Sequence, residues 1–501
     1  MRAGGFHVPA WLAAVVGLLL LGAPAAAAEC DVTRHGALGD GVTLETEAFR
    51  AAIAACRAQG GGTVRVPAGR YRIGAIELSS HITLELDAGA TLVGSRDPAD
   101  YPLVETRFEG KRVQGHAALV SARNAVNVAI VGRGTIDGDG APWWELADSG
   151  ALTHPRPRLI ELHEVKGARV EGVTLQNSPS WTLHPVFSED IAITGITITA
   201  PPEAPKTDGI DVDSSRDVRI SDCLIDVGDD CIAIKSGRDE EGREVGRPSE
   251  NITVTNCVLR RGHGAVVVGS EMSGDVRRVA VSNSVFEGTD RGLRIKTRRG
   301  RGGVVEDVSM SDVVMHGVAQ PLVVNMFYRG DGGEVPDDAA VNEGTPTVRG
   351  VRVSNVVARG AERAAWLRGL PERPLEDVTL RGLRLEAREG LYAKDVEGLS
   401  LDGVDLRVAT GIGARFRRVR GLEASAVRGL ATPAGGEPWA ELVNVRDAGL
   451  HGWRVPEDST FLRVLGAESA DIAVTGVRPA SALGRVELGE GASETALEPS
   501  E

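Results

Sequence analysis

The residues best suited to bond-breaking chemistry are three aspartates, Asp208, Asp229 and Asp230, followed by His263, Arg294 and Lys296. Glycoside cleavage needs one carboxylic acid to protonate the leaving oxygen and a second carboxylate to activate water or attack the sugar. Basic groups alongside would hold a carboxylate on the substrate. Taken singly, each feature has a plainer reading. An Asp-Asp pair is usually a solvated turn, a His between two glycines is usually structural, and the run Arg291, Arg294, Lys296, Arg298, Arg299, Arg301 is a solvated basic edge. Their position in a repeat gives them a common meaning.

The repeat reads apolar, any, apolar, two others, apolar, any, apolar. It starts at Ala168, Ile191, Val218, Ile252, Val279 and Val308, and after a Gly-rich insertion resumes at Val351, Val378 and Leu399. Steps of two put apolar side chains on one strand face, and the Gly, Asn or Asp between the pairs suits a bend. One such unit cannot bury a core by itself, whereas stacked units can. The expected fold is all-β, a right-handed single-stranded parallel β-helix. The rival leucine-rich repeat lacks its Leu-x-Leu and Asn framework. Over Glu45 to Arg57, Phe49, Ile53 and Cys56 share one helical face ahead of Gly60-Gly61-Gly62, which predicts an amphipathic helix capping the N-terminal end.

Used as a ruler, the repeat puts Asp229 eleven places into the Val218 coil and His263 eleven places into the Ile252 coil. Allowing for the Pro-rich stretch after Ala200, Asp208 aligns with Asp230. Four successive coils then bring Asp208, Asp229 with Asp230, His263, and Arg294 with Lys296 to one side. Strands lie about 4.8 Å apart, so the carboxylates become like-charged neighbours. That arrangement is costly and raises one pKa. Strict alternation with Ile232 and Ile234 would turn Asp230 inward, so a bend at Gly228-Asp229-Asp230 is required.

The motifs Lys206-Thr207-Asp208-Gly209, Gly228-Asp229-Asp230-Cys231, Gly262-His263-Gly264 and Arg294-Ile295-Lys296 occur in this order. With them, the stretch from about Arg158 to Tyr328 resembles glycoside hydrolase family 28, the polygalacturonases, in particular its bacterial exo-acting members. The resemblance implies an inverting hydrolysis of galacturonosyl linkages in acidic pectic chains, with no metal and no cofactor. Asp229 would be the general acid, and Asp208 and Asp230 would position and deprotonate water. His263 would tune the acid, and Arg294 and Lys296 would bind the substrate carboxylate. Inversion would place acid and base roughly 6.5–9.5 Å apart. The family usually has Asn where Lys206 stands, which puts the sugar preference in question. Rhamnogalacturonan hydrolysis, a calcium-dependent pectate lyase and a noncatalytic glycan-binding β-helix are the alternatives.

Composition agrees with a secreted or periplasmic hydrolase. Arg2, the apolar run Ala10 to Leu21 and Ala26-Ala27-Ala28 read as a signal peptide over residues 1–28. Its removal takes away one Arg and no acid, so the net charge of −14 becomes −15. That charge disfavours nucleic acid or a membrane surface as partner. Cys30 and Cys56 could pair, while Cys223 and Cys257 align as a buried ladder. The domain is expected over 29–488, followed by a tail over 489–501, and the protein is expected to be a monomer. Trp143-Trp144 and Trp181 could stack on sugars or pack in the core.

Overall fold

The computed structural model describes residues 28–328, 339–431, 434–457, 459–482 and 486–497, together with Met1 and Gly4. Most of the expected leader and residues 498–501 of the expected tail lie outside these. The chain winds into a parallel β-helix of short strands, each pairing with its counterpart one coil earlier and one coil later. The repeat positions form one column of direct strand partners, from Ala168 through Ile191, Val218, Ile252, Val279, Val308, Val351 and Val378 to Leu399. The column runs on through Leu422, Ala448 and Ile472. All these side chains are buried. Burying a Val, Leu or Ile stabilises by about 1.5–3 kcal/mol, and here every such gain depends on a neighbouring coil.

The cap helix spans Thr46–Ala58 and buries Phe49, Ala52, Ile53 and Cys56. Glu45 precedes it, and its carboxylate accepts the backbone N–H groups of Leu38 and Gly39. A disulfide joins Cys30 to Cys56 and so ties the helix to the first strand, Ala28–Asp31. Cys223 and Cys257 are buried thiols on neighbouring coils. At the other end, Val486–Gly489 pairs with Leu462–Leu465, Leu497 bridges to Ile472, and Ala496 is buried. Part of the expected tail therefore packs on the last coils. Among the described residues no helix is long and apolar enough to cross a membrane.

One feature departs from the coil. Leu103–Phe108 and Lys111–His116 form an antiparallel hairpin that leaves the stack. Its turn, Glu109-Gly110, reaches the loops holding Lys206 and Arg238. Trp143 is fully buried against Tyr101 and His116, and Trp144 donates its indole N–H to the Ser178 carbonyl at 3.0 Å. Both are packing residues.

Candidate active site

The three aspartates meet because two turns interlock. Thr207 donates its hydroxyl to the Ala204 carbonyl at 2.8 Å and accepts the Gly228 N–H at 3.2 Å. Gly228 fits only as glycine, since a Cβ there would lie 2.6 Å from the Ala204 oxygen. The strand Asp230–Lys235 then begins at the bend the sequence required. Cys231 turns toward the carbonyls of Arg260 and Arg261, and Asp230 faces the cleft. Gly209 N–H bonds the Asp230 carbonyl at 3.0 Å, and His263 N–H bonds the Asp229 carbonyl at 3.1 Å. These two bonds reproduce the alignment read from the repeat.

At least one oxygen from each of Asp208, Asp229 and Asp230 lies within 4.8 Å of the others. This nearest-oxygen spacing is shorter than the separation expected between an acid and a base, because the coils stand one strand spacing apart. Such a triad could offer oxygen ligands to a hard cation. The chain supplies positive groups of its own there. Lys296 Nζ donates to Asp230 Oδ2 at 2.8 Å, and Arg294 lies 4.0 Å from Asp230 Oδ1. Both cations flank the Tyr328 ring, at 5.3 and 5.6 Å from its centre. His263 Nδ1 is 3.0 Å from Asp229 Oδ1.

The environments separate the carboxyl groups. Burial pushes Asp208 well above the usual carboxylate range, and the charges of Asp229 and Asp211 act the same way. Burial would also raise Asp229, but the His263 hydrogen bond and the charges of His263, Lys296 and Lys235 outweigh it and hold Asp229 at about 2. The same hydrogen bond raises His263. The two environments therefore favour a proton on Asp208 over one on Asp229. The charges of Asp208 and Asp229 act on one another, so moving a proton from Asp208 to Asp229 changes its place and leaves the net charge unaltered.

Several cleft residues take partners that the sequence reading did not assign. Lys206, the departure from the family pattern, forms an ion pair with Glu109 of the hairpin, which also meets Arg238 at 3.4 Å. Lys235 lies 3.6 Å from Asp211, 3.3 Å from Glu271 and 5.0 Å from the centre of the Trp181 ring. Trp181 is buried and stacks on Phe108. Within the basic run, Arg299 is tied to Glu372, and Arg301 to Asp239 and the Ser270 carbonyl. The cleft encloses about 200 Å³. A wider hollow of about 750 Å³ lies over Ala129, Arg169 and Ala192. Its carboxylates, Glu171 and Asp190, are largely exposed and pair with Arg169 and Arg219, so it lacks the buried, perturbed groups of the smaller cleft.

The family model for glycosyl hydrolases family 28 matches residues 56–396. The chain belongs to this family. An endo-polygalacturonase of Pectobacterium carotovorum subsp. carotovorum is 34% identical over 364 residues, covering 67% of this chain and 83% of the relative. The crystal structure of an exopolygalacturonase from Thermotoga maritima superposes with a TM-score of 0.64 at 33% identity, covering 78% of this chain and 91% of the other. A polygalacturonase structure from Erwinia carotovora ssp. carotovora gives a TM-score of 0.59 at 28% identity, with 71% and 92% covered. The protein is thus a family 28 glycoside hydrolase on a β-helix, and both exo- and endo-acting relatives are similar to it.

In this family 28 protein the His263–Asp229 bond should be visible in solution. The His263 ring should titrate above its ordinary pKa of about 6.5, and in Asp229→Asn it should fall back toward that value. Proton NMR of the ring measures both. Because the folded pKa is raised, the stabilising contribution of this pair is complete below the unfolded His value and fades as pH rises through the folded one. An unchanged titration in the variant would mean that the 3.0 Å contact carries no interaction.

Proposed function

We propose that this protein hydrolyses α-1,4-galacturonosyl linkages of polygalacturonate or oligogalacturonides with inversion, removing units from a chain end. The observation that carries the reading is the Asp208–Asp229–Asp230 triad, with Asp208 and Asp230 buried and Asp229 half-buried, with His263 on one side and Lys296 and Arg294 on the other. Asp229 gives its proton to the glycosidic oxygen as the C1–O bond breaks. Water adds to C1 from the opposite face and passes a proton to Asp208 or Asp230, so the triad ends with the number of protons it began with. Proton transfer of this kind accelerates a reaction by about 10²–10⁴-fold. Arg294 and Lys296 hold the sugar carboxylate, and Tyr328 forms the wall behind them. The family 28 relatives named above are polygalacturonases, which supports the acidic pectic substrate.

Action from a chain end is favoured by the hairpin. Its Glu109 closes over Lys206 and Arg238, and a cleft closed on one side receives a terminus more readily than the middle of a polymer. Secretion is favoured by the leader-like residues 1–28 and by the Cys30–Cys56 disulfide, which persists in oxidising compartments. All six site groups come from one chain, so a monomer suffices.

The test is incubation with polygalacturonate and defined oligogalacturonides, in parallel with a metal chelator and with added calcium. New reducing ends should form, with no ultraviolet absorbance of an unsaturated uronide, and NMR should show the β-anomer as first product. Unsaturated product would establish lyase chemistry. A first product that keeps the α configuration would overturn inversion. Absence of cleavage would move the substrate to rhamnogalacturonan.

A further inference from the structure

The sheet that carries Arg294 and Lys296 continues for several coils beyond them, and its outward side chains form two columns. Arg294 is partnered by Val323, then Trp366, Tyr392 and Arg415. Lys296 is partnered by Asn325, then Arg368, Lys394 and Arg417. Trp366 and Arg368 are two residues apart on one strand, so the columns run side by side about 6.6 Å apart.

The first column presents an aromatic platform. The Trp366 and Tyr392 rings stack at 4.5 Å with 22° between their planes, and both remain partly exposed. A hollow of about 500 Å³ opens beside them, bordered by Arg363, Leu391, Arg415 and Arg417. The second column stacks three cations at successive strand spacings. Across strands, like charges in direct register are destabilising, and this chain elsewhere alternates them with acids, as at Glu189–Arg216, Glu306–Arg349 and Asp405–Arg428. Arg368, Lys394 and Arg417 form no ion pair with a carboxylate among the described residues. Arg368 instead lies over the Phe327 ring at 3.8 Å. Arg415 and Arg363, in contrast, are taken up by Glu441 and Glu389.

We propose that this face is a second binding track for a polyuronate chain, outside the catalytic cleft, in which the exposed parts of the Trp366 and Tyr392 rings pack against sugar C–H groups while Arg368, Lys394 and Arg417 pair with sugar carboxylates. A pyranose uronate has a flat C–H face and an anionic edge, and the two columns match one each. Trp366 stands on the fourth strand beyond the one that carries Asp230, about 19 Å along the stack. A polymer whose end lies in the cleft would therefore cover the track, and a short oligomer would not reach it. This inference rests on the galacturonan reading above.

The test uses two double variants of the full chain, Trp366→Ala with Tyr392→Ala, and Lys394→Gln with Arg417→Gln. The second changes only solvent-facing cations and guards against misfolding in the first. Retardation in gels containing polygalacturonate is measured beside steady-state rates on polygalacturonate and on trigalacturonate. We expect each pair to weaken retardation and raise KM for the polymer about tenfold, equivalent to about 1.4 kcal/mol, while kcat and KM for the trimer stay at wild-type values. The cation pair should also make polymer binding less sensitive to salt. Unchanged retardation and polymer KM in both pairs overturn the track. So does a wild-type protein that the polymer does not retard. A wild-type protein that is retarded yet releases no reducing ends overturns the hydrolase reading alone, and lower retardation of the variants would still support the track.

Discussion

Replacing Asp229 by Asn should lower kcat by about 10²–10⁴-fold with KM close to wild type. The amide is the same size and leaves the cleft shape intact, but it has no acidic proton for the leaving oxygen. Asp208→Asn should also reduce kcat, with the opposite consequence for stability. The Asp208 carboxyl is fully buried beside two other carboxylates, and its pKa is raised. A raised carboxyl pKa costs folding stability as pH climbs above the unfolded value of about 3.9. Asp208→Asn should therefore melt at a higher temperature than wild type at neutral pH and at nearly the same temperature below pH of about 3. A gain in stability joined to a loss of rate marks a site whose strained charges serve the reaction. Kinetics on polygalacturonate and thermal melts at two pH values give both readouts. An Asp229→Asn protein with undiminished kcat would remove this residue from the role of acid. An Asp208→Asn protein that melts lower at neutral pH would show that its hydrogen bonding outweighs the repulsion.

The β-helix and the triad were legible because both follow from one period. Each repeat start chosen on hydrophobic spacing is the direct strand partner of the next, from Ala168 to Leu399. Counting along that ruler paired Asp229 with His263 and Asp208 with Asp230. The same count missed whatever lies outside the period. The hairpin Leu103–Phe108 with Lys111–His116 interrupts the stack as an insertion, and nothing local indicates that Glu109 meets Lys206, 97 residues away. The resting place of the proton was also hidden. Spacing shows that three carboxylates converge, but not that His263, Lys296 and Lys235 surround Asp229 and hold it ionised while burial raises Asp208. One signal was present and unused. Outward positions on successive strands read Glu161, His184 and Asp211, with Asp213 two residues on, and a run of polar residues on side chains that prove buried requires partners inside the fold.

Those partners set the last expectation. Breaking the pair between Arg107 and Asp213 should cost about 3–5 kcal/mol, far more than any exposed ion pair in this protein. Arg107 comes from the hairpin, Asp213 from the strand Ile210–Asp213, and both are buried with 3.0 Å between them. Burial alone would raise Asp213, but Arg107, His184 and Ser214 hold it at about 2. In Arg107→Met the carboxylate would keep Ser214 and a His184 ring nitrogen 3.7 Å away, with no guanidinium to offset its desolvation. The penalty is the cost of one stranded charge, so Arg107→Met with Asp213→Asn should recover most of the loss, and a double-mutant cycle should show strong coupling. The pH dependence has a fixed sign. A depressed Asp pKa contributes stability above the unfolded value of about 3.9, and that contribution disappears as pH falls through the folded value near 2. The gap in urea midpoint between wild type and Arg107→Met should accordingly be widest near neutrality and narrow in strong acid. A constant gap across pH would assign the loss to packing of the Arg107 stem against Phe187, whose ring centre lies 4.9 Å from the guanidinium. A single variant as stable as wild type would show that the hairpin's other contacts, among them Phe108 on Trp181, Thr106 on Glu161 and Glu109 on Lys206, hold it over the cleft without this pair.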